Sequence, residues 1–284
     1  MNTVKTWTLM AVLTVILVLI GRFVGGPRGM LIFLLISVAM NAFAYWTSGT
    51  MAIRMTGSYP VTESEAPELY QVVRRLARRA NVPMPEIYIT PSDQPNAFAT
   101  GRNPQHAKVA VTEGILRLMP TRELEGVLAH EMAHVRNRDI LISSMAAVMA
   151  GAITSVANLL QWTMWFGGDE REDNGSVAAE IAIMILGPIA ATLIQLAISR
   201  SREYRADAIG AKLVGDSAPL ADALERLESY KDRQFGNVQM NPAAAHLFIM
   251  NPLRGESLLQ LFSTHPPMAE RIRRLRNMHV HRIH

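Results

Sequence analysis

Four long apolar blocks, set between stretches of ordinary charge density, constrain the fold of this chain more than anything else in its sequence. They run from Trp7 to Ile20 (extendable to Val24), Met30 to Tyr45, Ile140 to Trp165 and Val177 to Ser199. About 20 apolar residues are what an α-helix needs to cross the hydrocarbon core of a bilayer. Of the 284 residues 49% are hydrophobic, and their concentration in blocks argues for membrane helices rather than a larger soluble core. Gly25-Gly26-Pro27-Arg28 joins the first two blocks in a tight turn, so they read as a helical hairpin with Tyr45-Trp46 as interfacial aromatics. A signal peptide is the competing reading of the first block, given Lys5 ahead of it. No small-x-small cleavage site follows cleanly, and the second block comes at once.

The second pair is less clean. Gln161 and Pro188 interrupt it, and an acidic loop, Gly167 to Asn174, separates its halves. A buried hairpin in a water-soluble domain is the alternative. Arg136, Arg138, Arg200, Arg202 and Arg205 flank the outer ends, which by the positive-inside rule places both flanks in the cytoplasm. Arg22 and Arg28 oppose that orientation but form the smaller cluster.

Between the blocks the chain has the charge density of a soluble protein. Ser64 is placed to cap a helix with Leu69, Val72, Leu76 and Ala80 on one face, ended by Pro83 and Pro85. Glu86 to Thr90, Asn96 to Gly101 and Lys108 to Thr112 read as short strands of a small sheet. Pro120-Thr121 opens a further helix, with Thr121 as its N-cap. Ala218 to Tyr230 is amphipathic, Asn251-Pro252 begins a loop region, and Pro266 to Met278 is a final basic helix.

That further helix carries His130-Glu131-Met132-Ala133-His134. Four residues is about one helical turn, so His130 and His134 share a face and can hold one Zn²⁺ between them. Glu131 lies close enough to a zinc-bound water to take its proton. The pentamer alone also fits two helix-face histidines with no metal. A third ligand decides against that, and Glu203 supplies a candidate, with Asp207 four residues on to accept a hydrogen bond from a zinc histidine. The bland reading of Glu203 and Asp207 is a helix whose Arg202 and Arg205 make solvated ion pairs. With no cysteine in the chain, thiolate ligands and disulfides are excluded.

A membrane hairpin over residues 140–199 leaves and returns at one face, so it joins the two metal motifs. The chain then divides into an N-terminal transmembrane hairpin (1–50), a first part of a protease domain with the zinc helix (51–139), a second transmembrane hairpin (140–199) and a second part with the third ligand (200–284). The net charge of +4 is explained by arginines beside apolar blocks, and no aromatic-interleaved basic groove points to nucleic acid. His265, in Thr264-His265-Pro266-Pro267, is by default a loop cap, but in a zinc hydrolase it can also donate to an oxyanion.

The motifs His130–His134, Glu203–Asp207, Asn96–Gly101 and His265 with Arg271 resemble those of the HtpX family. These are membrane zinc metalloproteases of the M48 class, related to the CAAX-processing Ste24 proteases. The resemblance covers nearly the whole chain. It implies a mainly α, α+β membrane protein with four transmembrane helices and a gluzincin-like cytosolic zinc protease domain containing a small β-sheet. It implies one Zn²⁺ per chain held by His130, His134 and Glu203, Glu131 as general base, and Asp207 as the carboxylate behind the ligands. His265 resembles the histidine that stabilises the tetrahedral intermediate, and Arg271 a structural partner near the acidic motif. The implied activity is ATP-independent cleavage of unfolded, misfolded or damaged membrane proteins at a bacterial inner membrane, multi-pass, with the active site facing the cytoplasm, in quality control and stress response.

Two other classes compete. An intramembrane protease of the site-2 kind would bury the motif in an apolar span, yet Arg122, Glu123 and Glu125 precede it and Arg136, Arg138 and Asp139 follow. A non-catalytic zinc-binding scaffold would need neither base nor third ligand. For substrate, an exposed strand edge pairs with any extended peptide. Asn96, Ala97, Phe98, Ala99 and Gly101 are the candidates, from their place before the zinc helix and their match to the family's Asn-Ala-Phe motif. An ordinary loop whose Phe98 fills the core is the alternative.

Overall fold

The computed structural model describes residues 2–145, 200–234 and 267–280. The third and fourth apolar blocks, apart from residues 140–145, lie outside the described residues, as does His265.

The helical stretch Asn2–Met55 (α1) doubles back at Gly26, whose φ of +60° only glycine adopts cheaply, with Pro27 next to it. A straight helix would hold Thr14 and Ser37 roughly 35 Å apart. Instead Ser37 Oγ donates to Thr14 Oγ1 at 2.8 Å, and Asn41 Nδ2 donates to the same oxygen at 3.0 Å. Met10 and Ala44 pack together across the same pair of arms. The first two blocks thus form the helical hairpin that Gly25–Arg28 predicts. Its second arm, Gly26–Met55, is long and apolar enough to cross a membrane. Outward-facing Leu31, Ile32, Leu35, Val38 and Phe43 leave that arm a largely exposed apolar surface.

Among the described residues four strands follow the hairpin, in the order β1-β2-β4-β3: Tyr59–Pro60 (β1), Glu86–Thr90 (β2), Ala97–Thr100 (β3) and Lys108–Thr112 (β4). β2 and β4 are parallel, and the two outer pairings are antiparallel. β3 is therefore an edge strand. Asn96 and Gly101 fall just outside it, although Asn96 still bonds Thr112 in both directions, accepting from its N–H at 2.9 Å and donating to Oγ1 at 2.8 Å.

Helix α2, Pro67–Ala80, buries Leu69, Val72, Leu76 and Ala80 as its spacing predicts, but it starts and stops elsewhere than expected. Its N-cap is Ala66, not Ser64, because Glu65 Oε2 accepts from the N–H and hydroxyl of Thr62 and closes a separate turn there. Its end is set by Asn81 in the left-handed region at φ 54°, ahead of Pro83. Helix α3, Glu113–Leu118, is capped by the Thr112 hydroxyl. Helix α4, Thr121–Arg136, has Pro120 rather than Thr121 at its N-cap, with the Pro120 carbonyl accepting from the N–H groups of Glu123 and Leu124. The remaining α-helices among the described residues are Arg200–Val214 (α5), Ala218–Gln234 (α6) and Met268–Arg276 (α7).

Leu128, Met132 and Val135 of α4 are fully buried in one core with Val72 and Leu76 of α2, Ile87 and Val109 of the sheet, Leu224 and Leu227 of α6 and Leu275 of α7. Glu123, also buried, is held by a two-pronged bond to Arg226 of α6 at 2.6 and 2.7 Å. The helix bearing the two histidines is thus packed on several sides, against α2, the sheet, α6 and α7.

Candidate active site

His130, Glu131 and His134 leave α4 toward the edge strand and α5. Close approach of α5 depends on Gly210, where an added Cβ would lie 2.9 Å from the His130 backbone nitrogen. That proximity brings Glu203 and Asp207, one turn apart on α5, against the two imidazoles. His130 Nε2 lies 3.5 Å from Glu203 Oε2, and His134 Nε2 lies 3.5 Å from Glu203 Oε1. One donor atom from each of the three residues falls within 4.8 Å of the others.

The outer ring nitrogens fix the tautomers. His130 Nδ1 lies 2.8 Å from Asp207 Oδ1, and His134 Nδ1 lies 3.1 Å from Asp139 Oδ2. An ionised carboxylate only accepts, so both Nδ1 atoms carry hydrogens and, in neutral rings, both Nε2 atoms present lone pairs. Those two nitrogens face each other at 3.1 Å, with the Glu203 carboxylate beside them. Lone pairs so opposed are relieved by a proton on one ring or by a cation between them. Two ligands of one tetrahedral ion at ~2.0–2.1 Å sit roughly 3.3 Å apart, so the donor set fits a metal.

Arg271 of α7, the largest of the fully buried side chains, anchors this arrangement from behind. It donates to Asp207 through Nε at 2.9 Å and Nη2 at 2.7 Å. Burial alone would raise the Asp207 carboxyl, but the Arg271 guanidinium and the His130 ring hold it well below the usual carboxylate range. Burial alone would lower His130, but hydrogen bonds to Asp207 and Glu203 outweigh it and raise the imidazole to about 9. Arg202 is not the solvated ion-pair partner of the bland reading. It is buried beside Asp139 and Glu203, and burial lowers its pKa; Arg205 is exposed.

Glu131 is tied to the sheet: its Oε2 accepts from the Ala99 backbone N–H at 2.9 Å. In an antiparallel ladder alternate residues face outward. Asn96 bonds inward to β4, so Phe98 and Thr100 do too, while Ala97 and Ala99 turn their N–H and C=O groups away from β4, within a strand whose four residues are all buried. Phe98 itself packs with Ala52, Ile53 and Ala110, so the strand is an edge with a buried anchor.

Two contributors were not singled out in the sequence. Asp139 reaches back to His134 because Arg138 adopts φ 58° just past the end of α4; the only sequence signal was a carboxylate five residues after the second histidine. The Ala99 N–H is a backbone group and left no signal.

Residues 63–279 match the Peptidase family M48. A protein named Protease HtpX homolog, from Pelotomaculum thermopropionicum, is 58% identical over 99% of this chain and 100% of its own. Another of the same name, from Burkholderia mallei, is 52% identical over 98% of this chain and 97% of its own. Among solved structures, Ste24p of S. mikatae is similar with a TM-score of 0.49 and 19% identity over 96% of this chain. This chain spans 65% of that one, and so distant a likeness carries no weight. By the family match and the near-complete alignment with its relatives, the chain belongs to peptidase family M48 and is a metallopeptidase of the HtpX kind.

Proposed function

We propose that the chain is a zinc-dependent endoprotease of a bacterial inner membrane that cleaves misfolded or damaged membrane proteins, with its active site on the cytoplasmic side. His130, His134 and Glu203 hold the ion. The observation that carries this reading is the meeting of two Nε2 atoms and the Glu203 carboxylate beside a Glu131 tethered to the edge strand.

Zinc, when bound, acts as a Lewis acid and supplies a water of lowered pKa. The remaining work falls to the chain's own groups. Glu131 Oε2 is held by Ala99, which leaves Oε1 to take a proton and return it to the leaving amine. Asp207 and Asp139 keep the two imidazoles in the tautomer that points Nε2 inward, and Arg271 keeps Asp207 ionised and in place. With the Ala99 N–H engaged by Glu131, the outward N–H and C=O of Ala97 and the C=O of Ala99 are left to pair with the backbone of an extended substrate, which suits unfolded chains of any sequence. The assignment of His265 to the oxyanion rests on the family resemblance alone.

Four spans, as two hairpins at residues 1–50 and 140–199 around a protease domain split between 51–139 and 200–284, are part of this proposal. The site-2 reading is disfavoured by the exposed Arg136 and Arg138 at the end of α4, and the scaffold reading by the tethered base. Two measurements test the proposal. Purified protein in detergent should cleave casein, lose activity with a chelator and regain it with zinc. A cysteine at Asn103 or Asn237 should be labelled only from the cytoplasmic side, and one at Gly175 from outside. Chelator-resistant cleavage, or labelling of all three from one side, would refute the corresponding part.

A further inference from the structure

The position of the edge strand relative to the membrane hairpin bears on which substrates the site accepts. The exposed apolar surface of the second arm of α1 ends at Trp46, which is 63% exposed; beyond it Gly49, Ala52 and Ile53 are buried. On the first arm Trp7 is 60% exposed, and the packing of Met10 with Ala44 sets it level with Trp46. Two exposed tryptophans at one height mark a bilayer interface.

Three contacts then register the strand against the arm. Phe98 packs with Ala52 and Ile53. Gly101 lies against Gly49, where an added Cβ would be 2.9 Å from the Gly101 Cα. The Arg102 guanidinium stacks 4.7 Å over the Trp46 ring. As the strand number rises, its partners step back along α1 toward the tryptophan level, so β3 runs toward the bilayer. Ser144, at the start of the third apolar block, fixes the same end. Its Oγ accepts from the Gly101 N–H at 3.2 Å, lies 2.6 Å from Thr100 Oγ1, and donates to the Ile140 carbonyl at 2.6 Å. Thr100 and Ser144 are fully buried, so this end of the strand is held from both sides.

From this geometry we infer that the substrate is a chain segment that follows a transmembrane span, cut close to the bilayer surface. The inference rests on the proteolytic reading given above. Antiparallel pairing is the more stable and the more frequent kind. A peptide antiparallel to β3 has its N-terminal side at Gly101, by the membrane, and its C-terminal side at Asn96, away from it. The base is tethered at Ala99, three residues from Arg102, or about 10 Å at ~3.3 Å per residue. Allowing the same again for the substrate to leave the bilayer, the cut falls about six residues from the span at ~3.3 Å per residue. A segment that precedes a span enters with the wrong polarity and must pair in parallel or loop back.

The test uses the full chain in proteoliposomes with two single-span substrates that share one segment on the active-site side. In one the segment follows the span, and in the other it precedes it. The same segment as a soluble peptide, with and without chelator, reports hydrolysis independently of tethering. The expected result is chelator-sensitive cleavage of the peptide, cleavage of the following segment roughly tenfold faster than of the preceding one, and cuts mapped by mass spectrometry near the span. Equal rates, the opposite preference, or cuts scattered far along the tail while the peptide is still cleaved would overturn the inference alone. A peptide left intact would overturn the proteolytic reading and this inference with it.

Discussion

Glu131 Oε2 accepts a hydrogen bond from the Ala99 backbone N–H at 2.9 Å, so the proposed base and the edge strand are positioned as one unit. Proline at Ala99 removes that donor while the ladder to β4, carried by Phe98 and Thr100, stays intact. A hydrogen bond to a charged group is worth ~1.5–3 kcal/mol, so turnover should fall by about one to two orders of magnitude with metal content unchanged. Peptide hydrolysis and metal analysis on the same preparation check it; wild-type turnover would mean that the tether is idle.

Glu131→Gln keeps the shape of the side chain and removes its basicity. Metal should stay bound, and hydrolysis should fall by ~10²–10⁴-fold. A metal-loaded variant with near-normal turnover would exclude Glu131 as the base.

Glu203 and Asp207 lie one turn apart on α5 yet should fail differently. Glu203→Ala deletes a carboxylate that lies 3.5 Å from both Nε2 atoms and should strip most of the metal. Asp207→Asn leaves the three donors and should weaken affinity or activity by roughly 10–100-fold. Equal metal content in Glu203→Ala and wild type would remove Glu203 from the ligand set.

The raised pKa of His130 makes metal uptake depend on pH. Below about 9 the metal-free imidazole carries an extra proton that must leave before the ring can bind an ion. Affinity should therefore rise with pH, by up to ~tenfold per unit, and level off above about 9. In the metal-free protein the sign is opposite: the stability from protonated His130 is fully present below the ordinary value of 6.5 and is lost as pH rises through about 9. Calorimetry at pH 8 in buffers of different ionisation enthalpy should find about one proton released per ion bound. No proton release would refute the assignment.

Gly210→Val places a Cβ 2.9 Å from the His130 nitrogen, and backbone cannot yield as a flexible side chain would. α5 should be pushed off α4, with a lower melting temperature and weakened metal binding together. Unchanged metal affinity would show that the two helices tolerate a wider spacing.

Local signals in the sequence were read well, and signals that depend on the folded chain were not. Strands Glu86–Thr90 and Lys108–Thr112 match the expected limits residue for residue, since alternation between proline and turn residues is a local pattern. β1 escaped because two residues, Tyr59 and Pro60, cannot display a period. The zinc helix starts where Pro120-Thr121 predicts, but both expected N-caps differ: Thr62 and Glu65 close their own turn ahead of α2, and the Pro120 carbonyl rather than a Thr121 side chain bonds the first turn of α4. In the site, His130, His134, Glu203 and Asp207 are visible as pairs four residues apart, a spacing that helix geometry makes adjacent. Asp139 needed the left-handed turn at Arg138 to come near His134, and no spacing rule anticipates that. Arg271 was reachable only through the family resemblance, because its contact with Asp207 joins residues 64 apart in the sequence.

The buried charges around the two histidines have a consequence for how the protein matures. Glu131, Glu203, Asp207 and Asp139 gather there beside Arg202 and Arg271, all in a buried setting. A cation bound among such carboxylates is favoured in a medium that screens charge poorly. Protonation of His130, held by its hydrogen bonds to Asp207 and Glu203, is a partial substitute for it. The newly made chain should accordingly be loosest before it meets its ion. Loading should raise the melting temperature as well as switch on hydrolysis, tying assembly of the fold to acquisition of the activity.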